Sequence, residues 1–115
     1  MRTLTAEEKN VILNKGTEYP FTGKYDKFYE NGIYFCKQCD EPLFSSDSKF
    51  NSGSGWPSFD DSIKDKVSEV LDKDGMRIEI ICSNCKAHLG HIFKGENITN
   101  KNARFCVNSI SLIHK

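Results

Sequence analysis

Five cysteines are the residues in this 115-residue chain best equipped for chemistry, and their spacing divides them four to one. Cys36-Lys37-Gln38-Cys39 and Cys82-Ser83-Asn84-Cys85 are each a C-x2-C pair, and each follows a stretch that reads as a β-strand. Two such knuckles supply four thiolates, the donor set of a closed tetrahedral Zn²⁺ site that holds structure rather than substrate. An iron centre with four thiolates uses similar spacing, so the ligands are better defined than the metal. His88, close behind Cys85, is an alternative ligand that could displace one cysteine. Four sulfurs already saturate the ion, and a saturated ion has no open position for substrate. Any reaction is then run elsewhere.

Cys106 is the cysteine left over. A strand through Arg104-Phe105-Cys106-Val107-Asn108-Ser109 puts Arg104, Cys106 and Asn108 on one face, with Phe105 and Val107 on the other. A guanidinium and a carboxamide beside a thiol make a poor core. They make a good setting for a nucleophile, because a fixed positive charge favours the ionised sulfur. The plain alternative is a half-buried structural cysteine, a common place for a free thiol.

The elements that must position these groups are short. Thr5 followed by Glu8 is a capping box ahead of a helix that includes Val11 and Ile12 and stops at Lys15-Gly16. Thr17 to Lys24, broken by Pro20 and Gly23, reads as a wrapping segment. Asn31-Gly32, between Tyr25–Tyr29 and Ile33–Cys36, predicts a hairpin. Asp74-Gly75, between Val67–Leu71 and Met76–Ile80, predicts a second. In its second arm Met76, Ile78 and Ile80 face one way and Arg77 and Glu79 the other. Glycines and serines around Trp56-Pro57 form a shaped loop, since its rings need something to pack on. His88 to Phe93 leads into a turn at Lys94-Gly95, and residues 103–113 make a final strand. With no repeat, low-complexity tract or internal boundary, residues 1–115 read as a single domain, mainly antiparallel β with one N-terminal helix.

Lys plus Arg and Asp plus Glu number 16 each, which removes any general attraction to nucleic acid or an acidic membrane. The segment from Met1 to Glu8 lacks the apolar run of a signal peptide, and no stretch is long and apolar enough to cross a bilayer. The cytoplasm is the expected compartment, where cysteines serve metal binding or catalysis rather than disulfides.

Several segments together resemble the B-type methionine sulfoxide reductases. They are Gly16-Thr17-Glu18-Tyr19-Pro20-Phe21-Thr22-Gly23-Lys24-Tyr25, the two knuckles, residues 49–59, His88-Leu89-Gly90-His91-Ile92-Phe93 and Arg104-Phe105-Cys106-Val107-Asn108-Ser109. They run in order from near residue 16 almost to the end. The resemblance implies two antiparallel sheets carrying the active site, a structural zinc joining the knuckles at the far end, and reduction of the R epimer of methionine sulfoxide in peptides and proteins. It implies Cys106 as nucleophile, His91 and His88 as proton-handling residues, and Asn108 and Arg104 beside the thiolate. Trp56 would be the wall that receives the substrate methyl group, with Phe93 also in the binding site. Phe105 stands where many relatives carry tyrosine.

Many members of that family carry a further cysteine that attacks the oxidised nucleophile. Here every cysteine but Cys106 is committed to metal, so an external thiol, either thioredoxin or a small molecule, is the expected reductant. A monomer is expected. Two other readings remain: a zinc-knuckle module that presents a surface to a partner, and a general thiol oxidoreductase or redox sensor built on Cys106.

Overall fold

Thr5 opens the one α-helix, α1 (Ala6–Ile12), through the capping box that its spacing predicts. The Thr5 hydroxyl accepts from the Glu8 amide and the Glu8 carboxylate accepts from the Thr5 amide, which satisfies two orphan donors of the first turn. Val11 and Ile12 are buried and dock the helix. The chain leaves it through Lys15, whose φ of 60° turns the backbone sharply.

The computed structural model describes residues 1–115 and builds the rest of the fold from nine strands. In the smaller sheet, β1 (Ile33–Cys36) lies between β2 (Pro42–Ser45) and β9 (Leu112–His114). The larger sheet runs, in order, β3 (Lys49–Phe50), β4 (Ser58–Phe59), β8 (Ala103–Val107), β7 (His88–Lys94), β6 (Ile78–Cys82) and β5 (Val67–Leu71). All pairings are antiparallel. No helix is long and apolar enough to cross a membrane.

Aromatic rings from both sheets fill the space between them. Phe44 of β2 stacks on Phe59 of β4 at 4.4 Å between centroids, and Tyr34 of β1 meets Phe59 edge-on at 5.0 Å. Phe105 of β8 closes the group against Phe44 at 5.6 Å. The alternation expected of the last long stretch is present, since Phe105 and Val107 are buried in this core.

Two expected elements differ. Tyr25–Tyr29 is not a strand, and no hairpin forms at Asn31-Gly32; both edges of β1 are taken by β2 and β9. Tyr25 is instead held in a turn by packing, its ring edge-on to Phe28 at 5.2 Å and Tyr34 at 5.5 Å. Residues 103–113 are not one strand either, because a 3₁₀ turn at Ser109–Ser111 carries the chain from the larger sheet into the smaller. Its serines make the bend favourable: the Ser109 hydroxyl accepts from the Tyr25 amide, and the Ser111 hydroxyl donates to the His88 carbonyl. The hairpin at Asp74-Gly75 does form, as β5 and β6, but Met76 lies in its turn and is 87% exposed. Replacing Phe59 with alanine should cost about 3–5 kcal/mol in a urea unfolding curve, because the ring is fully buried. A loss below about 1 kcal/mol would show that the stacked rings do not hold the sheets together.

Candidate active site

The central ladder of the larger sheet decides what can meet. β7 and β8 pair so that His91 lies opposite Cys106 and Phe93 opposite Arg104. Directly opposed residues share a face, so imidazole, thiol, guanidinium and phenyl ring all stand on the side away from the aromatic core. Gly90 permits this spacing, since a Cβ there would collide with the Cys106 carbonyl oxygen. On the other flank of β8, Ser58 of β4 lies opposite Cys106. The hydroxyls of Ser54, Ser52 and Ser58 form a chain beside it, with steps of 2.9 and 2.7 Å.

Strict alternation would put His88 and His91 on opposite faces of β7. A register shift between Ile80 and Ile81 prevents that: Glu79 pairs with His91 and Ile80 with Gly90, but Ile81 pairs with His88, leaving Leu89 extra. The bulge returns His88 to the face of Glu79 and His91. The two imidazoles lie edge to face, 5.7 Å apart.

The walls come from the wrapping segment and the Trp56 loop. The Trp56 indole N–H donates to the Glu18 carbonyl at 3.0 Å, and the Phe21 amide donates to the Gly55 carbonyl at 2.7 Å. Gly55 has φ 92°, and a side chain there would strike Pro20 and Phe21. The Arg104 guanidinium sits 4.5 Å above the Phe93 ring and forms a forked pair with Glu96 at 2.8 and 3.2 Å. The Asn108 carboxamide accepts from the Glu18 amide and donates to the Leu89 carbonyl, which ties the wrapping segment to both central strands.

Burial pushes the Cys106 thiol above its ordinary range, while the Arg104 guanidinium and the Ser54 hydroxyl pull it back part of the way. Burial thus favours the thiol, and Arg104 the thiolate that the sequence leads one to expect. His91 donates or accepts at Nε2 with Asp72 across 2.5 Å, and the hydrogen bond from His91 holds the Asp72 carboxyl below the usual carboxylate range. His88 differs. Burial pushes its pKa down against the pull of Glu79, whose carboxylate lies 2.7 Å from His88 Nδ1.

Of the residues singled out from sequence, Cys106, His91, Arg104, Asn108, Trp56 and Phe93 line a single pocket. His88 is buried behind His91 and is not part of that wall. Thr17, Ser54 and Arg77 line the pocket as well, and the carboxylates Asp72, Glu79 and Glu96 stand behind it. None of these was singled out for the site beforehand. Glu79 did carry a signal, as one acid in the apolar run Ile78-Glu79-Ile80-Ile81.

The other four cysteines are gathered elsewhere. Their sulfurs all lie within 4.8 Å of one another, with Cys36 to Cys85 and Cys39 to Cys82 both at 3.6 Å. That is too long for a disulfide of about 2.05 Å. It matches tetrahedral zinc, whose bonds of about 2.3 Å separate the sulfurs by about 3.8 Å. The knuckles are built alike: the amides of Asp40 and Lys86, at φ 64° and 68°, donate to the carbonyls of Cys36 and Cys82, each at 2.9 Å. The protons of the neighbouring thiols favour ionised sulfur at Cys82, whose pKa lies below the ordinary thiol range. A divalent cation would replace those protons and clasp the β1–β2 turn to the β6–β7 turn. His88 makes no part of this cluster.

Fold and pocket together define a β-protein clasped by a four-cysteine metal cluster, with a separate, pocketed thiol. The model of the SelR domain matches residues 4–115. The chain is 50% identical over 110 residues to peptide methionine sulfoxide reductase B2, chloroplastic, of Arabidopsis thaliana, covering 95% of this chain and 54% of that protein. It is also 50% identical, over 113 residues, to peptide methionine sulfoxide reductase MsrB of Hahella chejuensis, covering 95% of this chain and 80% of that one. The chain belongs to the SelR-domain family, that of the B-type peptide methionine sulfoxide reductases. It spans about half the length of the plant relatives named first among its matches. A solved structure of the Mis18 'Yippee-like' domain shares the fold at TM-score 0.55 and 14% identity, over 75% of this chain and 96% of that one.

Two outcomes follow from the geometry. Alkylation of Cys106 by iodoacetamide should have its pH midpoint above about 8.5, and Arg104→Met should move it higher by removing the charge that favours thiolate. A midpoint below about 7 in the unmodified chain would mean that Arg104 outweighs burial. Native mass spectrometry should find one Zn²⁺ per chain, and its removal by chelator should lower the melting temperature. A metal-free chain that melts at the same temperature would contradict the structural role.

Proposed function

We propose that this protein reduces the R epimer of methionine sulfoxide in peptides and proteins to methionine, with Cys106 as nucleophile. The observation that carries the reading is the cross-strand pair of Cys106 and His91 inside a pocket walled by Trp56 and Phe93. Family membership supports the same reaction, and the other four cysteines have their own cluster.

The substrate S-methyl group packs on the Trp56 indole, which its hydrogen bond to Glu18 holds in place. As the sulfoxide enters, Cys106 gives up its S–H proton and the sulfoxide oxygen gains one. His91 relays the proton, since an imidazole both holds and releases one near neutral pH. Asp72 steadies its ring. Arg104 stabilises the sulfur while it carries negative charge, and Asn108 keeps the strands around it in register. The Cys106 sulfur bonds to the substrate sulfur; the protonated oxygen then passes to the Cys106 sulfur as the S–O and S–S bonds break, and methionine leaves as the thioether. Cys106 remains as a sulfenic acid. Two equivalents of an external thiol, from thioredoxin or a small molecule, return it to the thiol and release a disulfide and water. Zinc, held by Cys36, Cys39, Cys82 and Cys85, supplies structure and takes no part in these steps.

On this reading residues 1–115 act as one domain, as a monomer, in the cytoplasm or another reducing compartment. The neutral charge balance leaves nucleic acid and membrane surfaces without a claim on it.

Given a racemic sulfoxide peptide and dithiothreitol, the chain should consume the R epimer and leave the S epimer, and Cys106→Ser should abolish turnover. His91→Asn should lower kcat by about 10²–10⁴-fold, and Trp56→Ala should raise KM. Retained turnover in Cys106→Ser would overturn the assignment, and an unchanged KM in Trp56→Ala would remove the indole from the binding site. After one turnover without reductant, mass spectrometry should find Cys106 sulfenic acid. A disulfide from Cys106 to a knuckle cysteine would overturn the recycling route.

A further inference from the structure

Helix α1 lines no part of the pocket, yet the residue at its exit brings a charge against a buried carboxylate. Lys15, in its left-handed turn, places Nζ 3.0 Å from one oxygen of the Glu79 carboxylate. The other oxygen lies 2.7 Å from His88 Nδ1. The side chains of Glu79 and His88 are each 3% exposed, and nothing else in the protein hydrogen-bonds His88 Nδ1. At the far side of the same ring, Nε2 is the chain's only buried side-chain nitrogen or oxygen with no hydrogen-bond partner.

A buried ionised carboxylate needs partners, or it takes up a proton. Burial does push Glu79 up, but the bonds from His88 and Lys15 outweigh it and hold the carboxyl below its usual range. Glu79 is thus an acceptor, which makes His88 Nδ1 the donor. That fixes the tautomer and turns the Nε2 lone pair away from Glu79, on the face that the β7 bulge shares with His91.

We infer that Lys15 and Glu79 are positioning residues for the reduction, holding His88 as its Nδ1–H tautomer so that Nε2 can take up and return the proton that His91 relays from Cys106 to the sulfoxide oxygen. The inference rests on the reaction proposed above. It makes the exit of the N-terminal helix part of the active site's support, through the Lys15–Glu79 ion pair and the hydrogen bond from His88 to Glu79. The other titratable groups facing His88 are His91 on its own strand and Lys86, which borders the same recess as Lys15 and Glu79. The Lys86 ammonium is engaged by the Ser83 carbonyl at 2.9 Å.

The test uses the full, zinc-loaded chain labelled with ¹⁵N, with long-range imidazole spectra recorded across pH beside a kcat profile. The unmodified chain should show His88 with its proton on Nδ1 and a bare Nε2 at neutral pH. Glu79→Gln should mix the tautomers, because a carboxamide can donate as well as accept. It should lower kcat by at least about tenfold with KM within about twofold. Lys15→Met removes a positive charge near the ring, so His88 should titrate higher, by on the order of half a pH unit given that Lys15 is 46% exposed. The limb of the kcat profile set by His88 should move with it, and Lys15→Arg should restore both. If Glu79→Gln does not fold, the Lys15 pair carries the test alone. A proton on Nε2 in the unmodified chain would overturn the proposal. So would His88 spectra and kcat profiles that stay the same in the Lys15→Met chain. An unmodified chain with the expected spectra but no reductase activity would fault the assigned reaction and leave the positioning geometry intact.

Discussion

The antiparallel pairing of β7 with β8 is the constraint on which the site depends. It sets His91 across from Cys106 and Phe93 across from Arg104 without help from any loop. Side chains opposed in a ladder sit at a spacing fixed by backbone hydrogen bonds. Gly90 keeps that spacing by leaving room for the Cys106 carbonyl. Around this rigid centre the wrapping segment and the Trp56 loop are coverings, fastened through Glu18 to the indole, to Asn108 and to the Ser109 amide. A thiol and an imidazole fixed on adjacent central strands need little further ordering to act together.

Electrostatics then distinguish two histidines on one strand. His91 pairs with Asp72 at the mouth of the β5–β6 hairpin, partly exposed. His88 pairs with Glu79 in the interior, where burial favours the uncharged ring. Similar carboxylate–imidazole pairs in unlike surroundings suit unlike tasks. The thiol is governed by the same contest: burial holds Cys106 protonated and Arg104 opposes it. A cysteine kept as thiol is less open to stray oxidants than a thiolate.

The metal cluster answers a different need. A 115-residue chain with sheets this short has a small core. Two knuckles of the same local geometry, one from each sheet, bring four sulfurs to the distances that a tetrahedral ion requires. The ion would bind the sheets to each other at a place distinct from the pocket. That separation leaves one thiol of five free to react, which is why structure and chemistry do not compete for cysteine here.

The capping box at Thr5, the hairpin at Asp74-Gly75, the two knuckles and the face shared by Arg104, Cys106 and Asn108 were all determined by sequence alone. Each depends on local geometry, namely a helical turn, a hairpin turn, a metal-ligand spacing or the period of a strand. What lay beyond sequence depends on register between strands. One extra residue at Leu89 puts His88 on the face of His91, and a serine turn at Ser109–Ser111 sends the last residues to the other sheet. Asp72, Glu79 and Lys15 acquire partners 19, 9 and 64 positions away in sequence only when α1 and β5 to β7 are packed together. Spacing along a chain encodes which way a side chain points. Only the packed structure decides what it meets.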